Sequence, residues 1–279
     1  MPQDVAQASE PALAIRTEAL SRSFGTKRAL ESLDLTVRAG SLFALLGPNG
    51  AGKSTTIQIL TTLLAPTAGR AFVDGHDVAA DARAVRRVSG VVFQDSSLDD
   101  RLTARENLDL HAAIFGVPRR ERRDRAEKQL AWIGLASVGD NLVRTFSGGM
   151  KRRLEIARAL VHDPSIVILD EPTVGLDPQT RRAVWEKLAE IAASPERRRT
   201  VFVTTHYMDE AERCDDVVVL DHGRLLARGT PRELCERTGT ERLEEAFVSL
   251  TGHDIRDAGD GEAGGMSAMK TRLRMRGRG

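Results

Sequence analysis

Apolar and polar positions change their spacing several times along this chain, and each change marks an element. Over Ala14-Ile-Arg-Thr-Glu-Ala-Leu20 and Leu33-Asp-Leu-Thr-Val37 they alternate, predicting an antiparallel sheet with one wet face, around Ser21-Arg-Ser-Phe24-Gly25. Ser41-Leu-Phe-Ala-Leu-Leu46 and Gly90-Val-Val-Phe-Gln94 read as buried strands, with a short strand and turn at Arg70-Ala-Phe-Val-Asp-Gly75 between them. Ile166-Val-Ile-Leu169 is an unbroken apolar run, as central parallel strands show, and Thr200-Val-Phe-Val-Thr204 and Val217-Val-Val-Leu220 follow it. Helices are predicted at 56–63 and 179–193. Thr103 and Glu106 form a capping box that should open a helix running to Phe115. A very basic helix over 119–133 should close at Gly134, and another should follow Ser147-Gly148-Gly149 with Met150, Leu154, Ala157 and Val161 on one face.

Strands alternating with helices imply an α/β fold whose parallel sheet is covered on both faces. An N-terminal antiparallel β subdomain precedes it, and a helical subdomain is inserted at about 95–161. The organised part is expected over 13–250. Residues 1–12 read as loose, and 251–279 as a disordered basic tail.

The stretch Gly47-Pro48-Asn49-Gly50-Ala51-Gly52-Lys53-Ser54-Thr55 adds chemistry to that frame. It fits G-x-x-x-x-G-K-[ST], the phosphate-binding P-loop, and sits between a buried strand and a helix as that motif requires. Gly47, Gly50 and Gly52 let backbone N–H groups turn toward an anion, and the following helix aims its positive end at the same place. Lys53 supplies a charge for β- and γ-phosphates, and the Ser54 hydroxyl is placed to ligate Mg²⁺. The chain is therefore expected to bind a nucleoside triphosphate on a P-loop NTPase core.

Charge and cysteine content narrow the partners. In 279 residues, 41 Lys and Arg face 40 Asp and Glu, and a net charge of +1 predicts no general attraction to nucleic acid. No apolar run approaches the roughly 20 residues needed to cross a bilayer. The first ten residues show no secretory leader. Cys214 and Cys235 have no metal-ligand spacing and are expected to stay reduced. The basic helix and the tail read as a solvated face and a disordered segment, with anionic lipid as the alternative.

Asp170 and Glu171 end the strand at 166–169. Downstream of a P-loop, the first is expected to hold Mg²⁺ and the second to accept a proton from the attacking water. Gln94 ends its own strand and could reach the same metal and γ-phosphate. His206 follows Thr204-Thr205 at the edge where ligands gather in open α/β sheets.

Phe146-Ser147-Gly148-Gly149-Met150-Lys151-Arg152 precedes Asp170, and Gly175-Leu176-Asp177 follows Glu171. With the P-loop, Gln94 and His206, this order resembles the ATP-binding subunit of ABC transporters, over roughly residues 13–250. The resemblance implies that Ser147, Gly148 and Gly149 contact the γ-phosphate of ATP held by a partner subunit's P-loop. It implies further that Asp177 communicates across that dimer, that His206 touches the γ-phosphate and that Phe24 stacks on adenine. Phe146 and Met150 stand where the family's signature commonly has Leu and Gln, and Phe24 replaces the more usual Tyr. Both leave the Ser-Gly-Gly centre and a stacking face intact. The signature's Lys-Arg-Arg continuation and Thr205-His206-Tyr-Met-Asp-Glu-Ala-Glu212 look most like the drug-resistance and lipo-oligosaccharide export branch. The implied protein is an ATPase with ATP and Mg²⁺. It works as a homodimer or paired subunit on an integral membrane permease, at the cytoplasmic face of the membrane. An importer subunit, or a soluble ATPase of this family acting on DNA or ribosomes, is the alternative. The interval from Ser54 to Ser147 holds a helical subdomain and no longer insertion, and there is a single P-loop. Both speak against the soluble alternative.

Overall fold

The computed structural model describes residues 12–194 and 198–252. In chain order the elements are β1 (Leu13–Phe24), β2 (Lys27–Arg38), β3 (Leu42–Leu46), α1 (Lys53–Leu60), β4 (Ala68–Val73), β5 (His76–Asp77), α2 (Ala82–Val88), β6 (Ser89–Val92), α3 (Ala104–Ile114) and α4 (Arg119–Trp132). Then follow α5 (Gly148–Leu160), β7 (Ile166–Asp170), α6 (Pro178–Ala193), β8 (Thr200–Thr205), α7 (Met208–Ala211), β9 (Asp216–Asp221), β10 (Arg224–Gly229), α8 (Pro231–Thr238) and α9 (Leu243–Thr251).

β2, β1, β4 and β5 form one antiparallel sheet in that order. Leu33, Leu35 and Val37 of β2 point to its buried face, which the alternation required, and an irregularity at Ser32 (φ 50°) lets Leu30 be buried as well. Arginines and aromatics share the wet face, where the Arg16 and Arg70 guanidinium carbons lie 4.4 and 4.7 Å from the Phe72 ring centroid. The strand extends further than the alternation indicated, because residues 21–24 stay paired through register shifts before Gly25 turns the chain at φ 58°.

The second sheet has the order β10-β9-β3-β8-β7-β6, parallel from β9 through β6, with β10 antiparallel at one edge. Successive residues of its strands feed two different cores. Phe43, Leu45, Ile168, Phe202, Val218 and Leu220 pack with Ile57 of α1 and the buried face of the antiparallel sheet. Ala44, Leu46, Val167, Leu169, Val201, Val203, Val217 and Val219 pack with α5, α6, α8 and α9. That double burial is why these strands read as unbroken apolar runs. A third core joins Leu108 and Ala112 of α3, Ala126 and Leu130 of α4, and Leu154 and Ala157 of α5, beneath the expected helical insertion.

Three expectations need correction. The helix after the P-loop ends at Leu60, not 63: Thr62 takes φ 65°, and the N–H groups of Leu63 and Leu64 both turn back to the Gln58 carbonyl. β6 ends at Val92, so Gln94 lies just beyond the strand rather than at its last position. And 222–250, left without elements above, forms a hairpin and two helices; the Thr230-Pro231-Arg-Glu233 capping box that opens α8 was legible in the sequence. The first two residues of the expected tail are ordered, Thr251 ending α9 and Gly252 capping it; residues 253–279 lie outside the described residues, as do residues 1–11. No helix among the described residues is long and apolar enough to cross a membrane.

Candidate functional site

β3 delivers the chain into the loop 47–52, and α1 leaves it with Gly52 as N-cap. Gly52 has φ 108°, and a Cβ there would come within 2.6 Å of the Ala29 carbonyl and 2.8 Å of Leu30. A Cβ at Gly47 would sit 2.3 Å from the Leu220 carbonyl. The loop is thus pressed against β2 and β9, a reason for these glycines that the phosphate argument alone does not give. With no side-chain cap on α1, the N–H groups of its first turn are left for an outside acceptor.

An open cleft of about 440 Å³ lies over this loop, lined by Phe24, Asn49, Lys53, Ser54, Gln94 and Glu171 among others. Gly50, Gly52 and Thr55 also line it, whereas Gly47, Pro48 and Ala51 are buried beneath. Phe24 reaches the rim from the tip of the β1–β2 hairpin, 46% exposed, with the Arg22 guanidinium carbon 4.7 Å from its ring centroid.

Three side chains meet at the floor. Lys53 Nζ donates to the carbonyls of Gly47 (2.8 Å) and Pro48 (3.1 Å) and lies 3.2 Å from Glu171 Oε1. His206 Nδ1 is 3.2 Å from the same oxygen. A carboxylate only accepts, so Nδ1 carries the proton there, and Nε2 is the ring's other nitrogen. The hydrogen bond from His206, with the Lys53 charge, holds the Glu171 carboxyl below the usual carboxylate range against the opposing effect of burial. Burial lowers the Lys53 ammonium pKa, and the Glu171 and Asp170 charges only partly offset it.

The Glu171 backbone is held as firmly as its side chain. Its φ is 44°, a left-handed conformation costing a non-glycine residue about 1–3 kcal/mol. Its N–H donates toward both the carbonyl (3.2 Å) and the hydroxyl (3.0 Å) of Thr204. The Thr204 hydroxyl donates to Asp170 Oδ1 at 2.6 Å. Sequence reading passed over Glu210, which is 1% exposed and accepts from the Thr173 and Thr205 hydroxyls, tying the end of β8 to the turn after β7. A glutamate within the quoted Thr205–Glu212 stretch was the available signal. Its buried partners are visible only in three dimensions.

Ser147, Gly148, Gly149 and Asp177 do not line the cleft. Ser147 caps α5, its hydroxyl accepting from the Met150 N–H at 3.2 Å, and Asp177 caps α6, accepting from the Thr180 N–H (3.0 Å) and hydroxyl (2.6 Å). The two caps are neighbours: a Cβ on Gly149 would come within 2.6 Å of Thr180 Cγ2. Ser147, Gly148 and Asp177 are exposed.

The cleft can take a polyphosphate: backbone donors, a buried ammonium and a glycine approach converge on it. For a hard cation the cleft offers the Ser54 hydroxyl and Gln94, while the buried Asp170 carboxylate is outside its lining but near enough to act on the Lys53 charge. No group of three or more His, Cys, Asp or Glu among the described residues could hold a metal by itself. A set of few protein oxygens suits an ion that keeps water and phosphate ligands.

Comparison with known proteins agrees with this geometry. The family model described as "ABC transporter" matches residues 30–174. The chain is 42% identical over 255 residues to the daunorubicin/doxorubicin resistance ATP-binding protein DrrA of Streptomyces peucetius, covering 91% of this chain and 75% of that protein. It is 45% identical over 225 residues to the Nod factor export ATP-binding protein I of Rhizobium sp. (strain N33), covering 80% and 73%. Its fold matches a dimeric ATP-binding cassette solved in a post-hydrolysis state with ADP and Pi, with TM-score 0.70 and 28% identity over 77% of this chain and 98% of that one. A P-loop cleft floored by Lys53 and Glu171, on a chain this similar to drug-resistance and export subunits, belongs to the ATP-binding subunits of the ABC transporter family, ATP-hydrolysing proteins associated with transport.

Proposed function

We propose that this subunit hydrolyses Mg²⁺-ATP at a site shared between two copies and energises export through a separate integral membrane permease. The observation that carries this reading is the division of the chain's site residues. Lys53, Glu171 and Gln94 line one cleft, with His206 bonded to Glu171, while Ser147, Gly148 and Asp177 face solvent elsewhere. A two-fold dimer would bring the exposed set of one copy to the cleft of the other. The solved relative with this fold is itself dimeric, which supports that arrangement.

In this reading Phe24 stacks on adenine, and the loop N–H groups with Lys53 take the β- and γ-phosphates. Incoming phosphate oxygens compete with the Gly47 and Pro48 carbonyls and with Glu171 for the Lys53 ammonium. Ser54, Asp170 and Gln94 would hold Mg²⁺, which neutralises charge developing on the transferred phosphoryl group. Glu171 takes the proton of the attacking water as its oxygen bonds to the γ-phosphorus and the bond to the bridging β–γ oxygen breaks. His206 keeps that carboxylate oriented and ionised. Hydrolysis then reopens the pair.

The permease would dock on the cytoplasmic face of the membrane, at a mostly apolar groove beside the Gln94 loop. Leu63, Val85, Phe93, His111 and Phe115 line it. Leu63 is 64% exposed, and Leu110 and Ile114 on the neighbouring helix α3 are 49% and 71% exposed. Apolar surface so exposed beside a site residue fits a partner segment of matching apolar character. The exporter names of the relatives point to drug-like or lipid-like cargo.

Glu171→Gln tests the reading. Turnover should fall by about 10²-fold or more, while an ATP-bound dimer accumulates on size exclusion and a polytopic membrane protein copurifies. Hydrolysis at the wild-type rate would remove Glu171 from the chemistry, and copurified ribosomes or DNA would remove the transport role.

A further inference from the structure

The guanidinium of Arg152, on α5 one turn past Ser147, is 7% exposed and makes five hydrogen bonds. Nε donates to the Pro172 carbonyl at 2.6 Å, and Nη2 to the carbonyls of Asp170 (3.2 Å) and Glu171 (3.3 Å). Nη1 donates to the Phe93 carbonyl at 2.7 Å and to Glu155 Oε2 at 2.8 Å. Only the last of these is an ion pair. The other four acceptors are main-chain oxygens from two segments: the residue preceding Gln94, and Asp170, Glu171 and Pro172, the two carboxylate residues at the end of β7 and the proline after them.

We propose that Arg152 is a positioning residue that locks the Ser147 helix, the Gln94 loop and the Glu171 backbone into one register, so that a shift of the helix is felt at both groups. Glu171 is held in its left-handed conformation from both sides, by Thr204 at its N–H and, at its C=O, by Arg152 and the Val174 N–H, each at 3.3 Å. Losing Arg152 frees the Asp170 and Pro172 carbonyls and leaves the Glu171 carbonyl with only the Val174 N–H, so the peptide can relax toward a common φ and the carboxylate can swing away from Lys53 and His206. The same helix grips the Gln94 loop further along, through Lys151 to Asp100 (2.7 Å) and Arg158 to the Ser97 carbonyl. Arg152 alone among these three cations also reaches β7. Its planar five-donor fork suits carbonyls on two sides, a task a single ammonium cannot repeat.

This inference rests on the proposed roles of Glu171 and Gln94, and the experiment separates the two. Removing Arg152 alone strands the 3%-exposed Glu155 as an unpaired buried charge and risks the fold. The full-length chain is therefore compared as wild type, Glu155→Gln, the paired Arg152→Gln/Glu155→Gln, Arg152→Lys and Glu171→Gln, by ATP turnover, equilibrium binding of a fluorescent ATP analogue and thermal melting. Glu155→Gln keeps the carbonyl contacts and should stay within about twofold of wild type in kcat. The paired variant and Arg152→Lys should each lose about tenfold or more in kcat, with KM and nucleotide affinity within about twofold, since a misplacement of about 1 Å costs up to 10²-fold. Rescue by lysine, a paired variant as active as Glu155→Gln, or kcat and nucleotide affinity falling together would each overturn the proposal. So would Glu155→Gln alone doing the full damage, which marks an ordinary structural ion pair. An active Glu171→Gln instead sinks the reading on which the inference rests, whatever the Arg152 variants do.

Discussion

The cleft and the Ser147 surface carry the same kind of residues but are built in opposite ways. At the cleft and the strand ends beside it, Lys53 and Asp170 are 5% and 6% exposed, and Lys53, Glu171 and His206 each bond across segments distant in sequence. On the other surface, Ser147 and Asp177 are exposed, and the hydrogen bonds of their side chains go to the helices they cap. Adjacent parallel strands end side by side, so β3, β7 and β8 can assemble the first set within one chain. Helix caps satisfy a few backbone donors and leave further acceptor capacity facing outward. One half is finished by folding; the other leaves its groups facing outward, as the shared site proposed above requires.

Lys53→Ala should break the comparison hardest, because it removes the charge at the centre of the finished half. We expect ATP affinity to fall at least about 100-fold, near 2.7 kcal/mol, as befits loss of charge-assisted contacts to phosphate. Unchanged affinity in an equilibrium titration would remove the P-loop from the account. Gly149→Ala probes the other half. Its Cβ would force Thr180 to rotate, and that rotation breaks the 2.6 Å bond from the Thr180 hydroxyl to Asp177. Turnover should fall about tenfold with ATP affinity of the monomer within about twofold, a loss only in the step where the halves meet. If monomer affinity falls as well, the two surfaces are not separate.

What the sequence disclosed follows the same division. The P-loop, the Asp170-Glu171 pair and the Thr103 capping box are local patterns, and each was legible because its physics is complete within a few residues. The strands that feed two cores were legible as unbroken apolar runs. Glu210 and Arg152 were not, because their partners lie far away in the chain and only the fold brings them together. A buried Arg in a basic stretch looks like any solvated one. The end of α1 was misplaced because Thr62 and Leu63 carry no glycine or proline to mark the turn.

Phe24→Ala sharpens the rim of the cleft. Stacking on a base is worth about 1–3 kcal/mol by alanine substitution, and Phe24 is half exposed and already shared with Arg22. We expect ATP affinity about fivefold weaker and near-normal kcat at saturation. Phe24→Tyr should match wild type, since only a hydroxyl is added. An equal loss for ATP and for inorganic tripolyphosphate would show that the ring does not meet the base.

The smallest effect concerns the seam between α3 and the end of α5, where His111 of α3 and Phe115, its C-cap, meet His162 just past α5. The Phe115 and His162 ring centroids are 4.0 Å apart, and His162 Nε2 lies 3.1 Å from the Ser89 carbonyl at the start of β6. Burial pushes His162 down to about 4 and His111 down to about 3, from an ordinary value of 6.5, the latter helped by the Arg158 charge and by His162 itself. Both stay neutral when folded at neutral pH and would bind protons when unfolded. Their contribution to stability is therefore complete above about 6.5 and is lost as pH falls toward 4 and then 3. His162→Phe keeps a ring against Phe115, removes one titration and gives up the bond to Ser89. At pH 7 it should be less stable than wild type by about 1 kcal/mol. Between pH 7 and 5 the wild type should lose more stability than the variant, by on the order of 1 kcal/mol. Denaturant midpoints at the two pH values measure the difference. Equal losses in the two proteins would mean that His162 takes up its proton without cost, and that acid loosens the molecule somewhere other than this seam.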